Sequence, residues 1–423
     1  MSTSTSAPAG SRPKPPSEQA RRYAGFQRRG WIIVVGAIVV VSAVRIVTGT
    51  DDITSANTLR ATILSACPIL LAGLGGLWSE RAGVVNIGLE GQMLLGTWGA
   101  AYFTYWYGPW VGLLGAAAMG LIGGLLHAIA TVTFGVDHIV SGVAINIIGL
   151  GATQFLAEAY FSDLQYGGPR QLTGLEGLPF ATVPGLSDGL NNLNGQHWFL
   201  VSDVAGFLAA FTTRVSVLTI IVAVLVAVTA WLLWRTSFGL RLRSCGESPA
   251  AAESLGVNVY RYKYVAVLVS GALAGLGGAF LALVASNGFT TNQAGGRGYI
   301  GLAAMISGNW RPMGTVGASV LFGYTDALRL RTPAAVHALL LLVAIGLLAL
   351  AAYRAYRGAR VAAVVLGLLG IGFLLWFLLT DTVPREFTGM TPYVVTLLVL
   401  SLASQRLRMP AADGQVYRKG SAG

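Results

Sequence analysis

The chain has 423 residues, 54% of them hydrophobic and 11% charged, with 56 glycines and a mean hydropathy of +0.65. A soluble domain carries about 25% charged residues, so this composition excludes one, and the apolar fraction excludes disorder. Two cysteines without metal-ligand neighbours exclude a disulfide scaffold or a cysteine metal site. What remains is an all-α polytopic membrane protein.

The net charge of +11 is a topology signal rather than a nucleic-acid footprint. Six of the 28 Lys+Arg precede residue 30, five lie between Arg235 and Lys263, three between Arg354 and Arg360, and four from Arg406 onward. Each cluster abuts an apolar run, as basic residues do on the cytoplasmic side of a bilayer. No basic face with interleaved aromatics is present.

In chain order, residues 1–27 are rich in Ser, Pro, Ala and Arg and predict a disordered cytoplasmic tail. The run 31–47 reads as a retained signal anchor. Further runs of near-spanning length cover 57–78, 87–107, 109–133, 139–161, 214–234, 264–286, 312–330, 333–353, 361–380 and 389–405. A shorter one at 299–310 either completes a crossing or is a re-entrant half-helix. Alternating crossings from an inside N-terminus put 20 of the 28 Lys+Arg in the cytoplasm. The expectation is a transmembrane domain over 28–405 with about 10–12 crossings, both termini inside, and a second cytoplasmic tail at 406–423. The external loop 162–213 reads either as an irregular connector or as a docking surface for an outside partner.

The hexapeptide Leu71-Ala72-Gly73-Leu74-Gly75-Gly76 recurs at Leu273–Gly278, and at the same offset Gly112-x-x-Gly115-Ala116 matches Gly314-x-x-Gly317-Ala318. An odd number of crossings separates the copies, which predicts inverted repeats, an arrangement built for a path between two halves.

The stretch Ser79–Gln92 interrupts two apolar runs with polar groups and glycines. Broken helix is tolerated in lipid only against protein or water, so this segment predicts a discontinuous helix lining a cavity. Asn86, Glu90 and Gln92 are its candidate pathway residues, joined by Asn146 in mid-span and Asn309 at a break in the second copy, where Trp310 beside Pro312 reads as an interfacial anchor. Asn146 serves equally well as a partner for a neighbouring helix's backbone, and His127 reads as a packing residue. No phosphate-binding loop, zinc-protease helix or nucleophile–His–acid grouping is present. The chain therefore reads as non-catalytic, with no metal or cofactor of its own.

The loop 235–263 holds Gly239–Asn258, where Glu247-Ser248-Pro249 opens a short helix and Gly256 ends it. A short small-residue helix on the inner face is shaped for the cleft of a soluble partner. Its candidate contacts are Gly246, Glu247, Ser248, Ala251, Ala252 and Gly256.

Together, Ser79–Gly91, 239–258, Gly271–Phe280, Gly296–Gly317 and the ending from Pro392-Tyr393 to Tyr417 resemble the permease subunits of bacterial ABC importers. The superfamily is that of branched-chain amino acid and ribose permeases, in the branch for simple sugars and nucleosides. The resemblance implies that 246–256 is the coupling helix contacting ATP-binding subunits, which use the ATP. It also implies a second permease, related or identical, an external substrate-binding lipoprotein, and a plasma-membrane location. The apolar stretch 333–380 departs from the branch and looks like an added helix pair. The expected function is import of nucleosides or related neutral solutes; a simple-sugar permease and an ion-coupled secondary transporter are the alternatives.

Overall fold

The computed structural model describes residues 36, 39–329, 333–403 and 407–420; the expected tail 1–27 lies outside the described residues. The chain is a helical bundle. A short apolar helix α1 (Val39–Thr48) leads to α2 (Ala56–Arg81), α3 (Leu89–Tyr107), α4 (Pro109–Ala128) and α5 (His138–Phe161). An extra-bundle segment with α6 (Leu186–Gly195) and α7 (Val201–Thr212) precedes α8 (Val217–Arg235). Two short helices follow on the opposite face, α9 (Ser237–Glu247) and α10 (Pro249–Ser254). The second half comprises α11 (Val259–Phe280), α12 (Arg297–Ser307), α13 (Pro312–Arg329), α14 (Pro333–Tyr356), α15 (Arg360–Leu379), a single turn α16 (Arg385–Thr388) and α17 (Thr391–Ala403).

The helix starts follow from the sequence. Ser55, Asp137, Ser216, Thr236 and Asn258 each accept a backbone N–H in the first turn of α2, α5, α8, α9 and α11. Prolines open α4 and α10, where their missing N–H has no partner to lose. Among the described residues, seven helical stretches are long and apolar enough to cross a membrane: 51–81, 109–133, 138–161, 217–235, 259–285, 334–356 and 360–379. The helices α12 and α17 are shorter. With 11 residues, α12 is about 16 Å long at 1.5 Å per residue, half of a hydrocarbon core of about 30 Å.

The two copies of the repeat lie against each other in opposite directions. The C-terminal end of α2 and the N-terminal end of α11 share one face of the bundle, where Lys263 Nζ donates to the Gly83 carbonyl at 3.3 Å. Helix α4 folds back on α3 through Gly112, close to the Ala100 carbonyl, and α13 folds back on α12 through Gly314, close to the Gly308 carbonyl. Helices α14 and α15 form a separate antiparallel hairpin at the side of this core, packed through Leu347, Ala351 and Leu366.

Opposite α9–α10, the segment after α5 pairs its strand β1 (Gly167–Gly168) with β2 (Gln171–Leu172), and a further two-residue strand, β3 (Phe180–Ala181), pairs with β4 (Val215–Ser216). The loop after α11 adds β5 (Phe289–Thr290) to β2, with Leu172 opposite Phe289. This ties 162–213 to the second half. A buried ion pair at 3.0 Å between Arg45 of α1 and Asp203 of α7 anchors the other end of the same segment.

Glycine sets the closest helix contacts. A Cβ on Gly275 would stand 2.2 Å from the Ala116 carbonyl, and one on Gly96 2.3 Å from that of Gly275. Helices α3, α4 and α11 therefore meet backbone to backbone. Gly275→Val should lower stability by at least about 1–3 kcal/mol, the usual range for overpacking, whereas Gly317→Val, at a site open on all sides, should have little effect. Thermal unfolding of the purified protein in detergent checks both.

Candidate functional site: a polar junction between the two halves

The break between α2 and α3 is a backbone turn from Ala82 to Gly88 whose own ladder is incomplete. Side chains from elsewhere complete it. Asn146 of α5 accepts the Gly91 N–H at 2.8 Å through Oδ1, and its Nδ2 donates to the Ile87 carbonyl at 3.0 Å and to the Tyr299 hydroxyl at 2.9 Å. Asn86 Nδ2 donates to Gln92 Oε1 at 3.0 Å and to Ser270 Oγ of α11 at 2.8 Å, and Gln92 Nε2 returns a bond to Asn86 Oδ1 at 3.3 Å. His127 bridges Ser141 and the Val85 carbonyl at 2.9 and 3.0 Å, the packing role expected of it.

Glu90 is the centre of the junction. Its carboxylate accepts the Gly296 N–H and the Gly298 N–H, both at 2.7 Å, and so caps the N-terminus of α12 from the other half of the molecule. The cap combines two short hydrogen bonds with the positive end of a helix. Gly298 is required, because a Cβ there would lie 2.6 Å from the Glu90 backbone. The depth is set by the neighbours: Asn86 is level with Ser270 and Gly96 with Gly275, which places Glu90 near the middle of the span 259–285. Helix α12 thus begins at mid-depth, and Arg297 at its first turn is held by Asp326 of α13 at 3.1 Å.

Four of the five expected pathway residues, Asn86, Glu90, Gln92 and Asn146, converge here and are buried. Asn309 does not join them. It lies on the α9–α10 face, where its Oδ1 accepts the Arg408 N–H at 2.7 Å. Sequence reasoning did not find Tyr299 or Ser270, which bind Asn146 and Asn86 directly. Tyr299 is 47% exposed, so the junction reaches the molecular surface at mid-depth there. The one signal for it was Gly296-Arg297-Gly298, a glycine pair flanking a charge just ahead of an apolar run.

On the α9–α10 face, the two short helices are joined by Ser248, and Gly256 closes the second with a φ of +79°. Of the residues expected to contact a partner, Glu247, Ser248, Ala251 and Gly256 are exposed. Gly246 and Ala252 face inward: a Cβ on Gly246 would stand 2.4 Å from the Arg81 carbonyl, and Ala252 packs on Cys245 and Val259. Trp310, read from sequence as an interfacial anchor, is instead buried, its Nε1 donating to Glu80 Oε2 at 2.6 Å. The Trp310 carbonyl accepts from Arg81 at 3.0 and 2.6 Å.

The family's sequence profile, described as branched-chain amino acid transport system / permease component, matches residues 58–350. This chain belongs to that permease family. The permease is 35% identical over 370 residues to the guanosine ABC transporter permease protein NupQ of Bacillus subtilis, covering 85% of this chain and 96% of the relative. It is 34% identical over 375 residues to the nucleoside ABC transporter permease protein NupC of Lactococcus lactis, covering 86% and 98%. It is 33% identical over 290 residues to the putative glucose ABC transporter permease protein TsgC13 of Haloferax volcanii, covering 67% and 80%. No solved structure matches. The permease is thus a membrane-spanning subunit of the ABC importer class.

Two predictions follow from the geometry of this permease. Glu90→Gln leaves a single carbonyl oxygen for two N–H donors and points an amide at the α12 terminus. A bond to a charged group contributes about 1.5–3 kcal/mol, so uptake should fall at least about tenfold with the protein still folded; solute uptake measured beside a melting curve checks this.

The second concerns Asp413, which is buried on the α9–α10 face in contact with the Glu80 carboxyl. Burial pushes the Asp413 carboxyl above its ordinary value, while the Glu80 hydrogen bond, the Gly414 N–H, and the Lys263 and Arg81 charges draw it part of the way back. An acid so raised binds its proton more tightly seated than free. Its contribution is therefore fullest below the ordinary aspartate range of about 4 and is lost as pH rises through the raised value. Protection of the 407–420 amides from hydrogen exchange, corrected for intrinsic rates, should decline from acidic to mildly alkaline pH in the wild type. Asp413→Asn, which leaves the Glu80 carboxyl in place, should show a weaker decline.

Proposed function

We propose that this permease carries nucleosides or closely related neutral solutes inward across the plasma membrane, driven by ATP hydrolysis on separate ATP-binding subunits that receive α9–α10. The observation that carries the transport reading is the mid-depth junction: broken helices from both halves, joined by Glu90, Asn146 and Tyr299. A hydroxyl-bearing surface at the bilayer centre is costly against lipid, so the exposed side of Tyr299 faces a wet path or a second permease, a related chain or a copy of this one. In that path, Glu90, Asn146 and Tyr299 offer amide, hydroxyl and carboxylate groups, which suit an uncharged polyhydroxylated or heteroaromatic solute. Similarity to NupQ and NupC over nearly their whole lengths supports nucleosides.

Both termini are cytoplasmic in this reading, which puts α9–α10 inside and α6–α7 outside, where a substrate-binding lipoprotein delivers its cargo. The permease itself is non-catalytic and binds no cofactor. Movement of the coupling element at Glu247–Gly256 shifts Arg81, which holds the Trp310 carbonyl, and so reaches both helix breaks.

Reconstituted with its ATP-binding subunits and receptor protein, the permease should accumulate labelled guanosine or a related nucleoside only with ATP. Accumulation should survive collapse of the proton gradient; loss on collapse would instead indicate ion coupling. Competition by glucose but by no nucleoside would move the substrate to the sugar class suggested by TsgC13. Gly256→Val, strained at a positive φ, should leave ATP hydrolysis measurable while reducing solute moved per ATP.

A further inference from the structure

The C-terminal segment 407–420 is not a loose end. It lies across the α9–α10 face and is fixed along its length. The Arg408 N–H meets Asn309 beside the second helix break. The Ala412 N–H donates to the Gly246 carbonyl at 2.9 Å and the Ala411 N–H to Glu247 Oε2 at 3.3 Å. Val416 lies against Gly135 in the turn between α4 and α5. The Gly420 N–H reaches Glu253 of α10 at 3.4 Å. The Tyr417 ring packs on that of Tyr260, 5.3 Å between centroids, and lies 5.9 Å from the Lys263 ammonium.

The segment is two-sided. Pro410, Ala412 and Asp413 point inward and are buried, whereas Ala411, Gln415, Val416, Arg418 and Lys419 are exposed. Asp413 is its buried acidic anchor. Both of its carboxylate oxygens are buried without an N–H donor in good geometry, and the group they meet is the carboxyl of Glu80, which Trp310 holds from the other side. Two carboxyls in contact in a dry site share a proton rather than both ionise. The groups facing this pair are Arg81 from α2 and Lys263 from α11.

We propose that the segment 407–420 and the coupling element α9–α10 form one composite platform for the ATP-binding subunit, with Asp413 as the peg that keeps the segment in register. This rests on the coupling role given above to α10. The size of α10 requires it: six residues make a helix of about 9 Å, while a stable interface covers about 800 Å² on each partner. A body seated on α10 must spread over what lies beside it, and the 407–420 segment is hydrogen-bonded along that side. The surface so formed has exposed apolar points at Leu255 (84% exposed) and Val416 (46%), with Arg241, Arg261, Arg418 and Lys419 exposed around them. It fits an ATP-binding subunit whose cleft is apolar at its base and acidic at its rim.

Cysteine labelling tests this in the assembled complex. The native thiols Cys67 and Cys245 are both buried, and burial pushes the Cys245 thiol up to about 11, so an introduced cysteine reports alone. Leu255→Cys and Gln415→Cys should both react with a soluble maleimide in the free permease and both become several-fold slower when the ATP-binding subunits are added. Protection of Leu255→Cys with unchanged labelling of Gln415→Cys would overturn the composite platform and leave the coupling helix standing. Unchanged labelling at both sites would overturn the coupling reading as well. In a second arm, Asp413→Arg sets a third cation against Lys263 and Arg81 and should weaken binding of the ATP-binding subunits at least several-fold, with the melting of the helical bundle unchanged. Asp413→Asn, which keeps the shape and can share a hydrogen bond with Glu80, should restore binding; wild-type affinity in Asp413→Arg would overturn the role of the peg.

Discussion

Within hydrocarbon no water is available to a broken helix, so every exposed N–H and C=O at a break must find a protein partner. That constraint governs this permease. Neither half can complete its own breaks. The first half's turn at 82–88 is completed by Asn146 and by Lys263 on the Gly83 carbonyl. The N-terminus of α12 is completed by Glu90, and the Trp310 carbonyl in the second break by Arg81. Apart from Asn146, which the first half supplies to its own turn, each of these side chains comes from the opposite half. The breaks are therefore stable only when the halves are docked, and separating them exposes several polar groups at once.

On the proposed transport reading, the same exchange sets where a path opens. The backbone contacts of α3, α4 and α11 through Gly96 and Gly275 are steric, leaving no room to slide without a clash. The contact of α3 with α12 is held instead by hydrogen bonds to one carboxylate, and these can be traded for bonds to water or to a solute's hydroxyl and amide groups. A half-helix of 11 residues is also short enough to move as a unit. The weak seam thus lies beside Tyr299, where the junction meets the surface, and the rigid seam lies behind it.

The sequence made the helical runs legible because apolar length is a local property, and it marked the break at 79–92 because glycines and polar groups interrupt a pattern that otherwise runs on. It also showed the short helix α10, whose Glu-Ser-Pro entry and Gly256 exit are local signals. Partners were a different matter. Nothing in the spacing of Glu90 says that its donors are Gly296 and Gly298, because glycines carry no amphipathic signal and the pairing is set by tertiary contact. Asn309 shows the converse error: an amide beside a helix break in the second copy looks equivalent to Asn86 by position. The turn at 308–311 brings it to the end of the span instead of the middle. The shared offset of the repeats predicted the pairing of the halves, but it could not give the depth of each break.

Trp310 was misread for a related reason. A tryptophan beside a proline at the end of an apolar run has the look of an interfacial belt residue, and composition gives no hint that a buried carboxyl waits for its N–H. That carboxyl, Glu80, ends α2 two residues before the backbone turns, so it cannot reach solvent along its own helix. It faces Trp310 on one side and Asp413 on the other, one from the second break and one from the C-terminal segment. A single buried acid therefore joins the end of α2, the break of the second half and the stretch of chain beside α10. Gly246 lies against the Arg81 carbonyl, so in the proposed coupling a push on α9–α10 reaches this acid. On the proposed reading the breaks and the platform move as one body, and a force applied at α9–α10 reaches the second break without travelling through the lipid-facing helices.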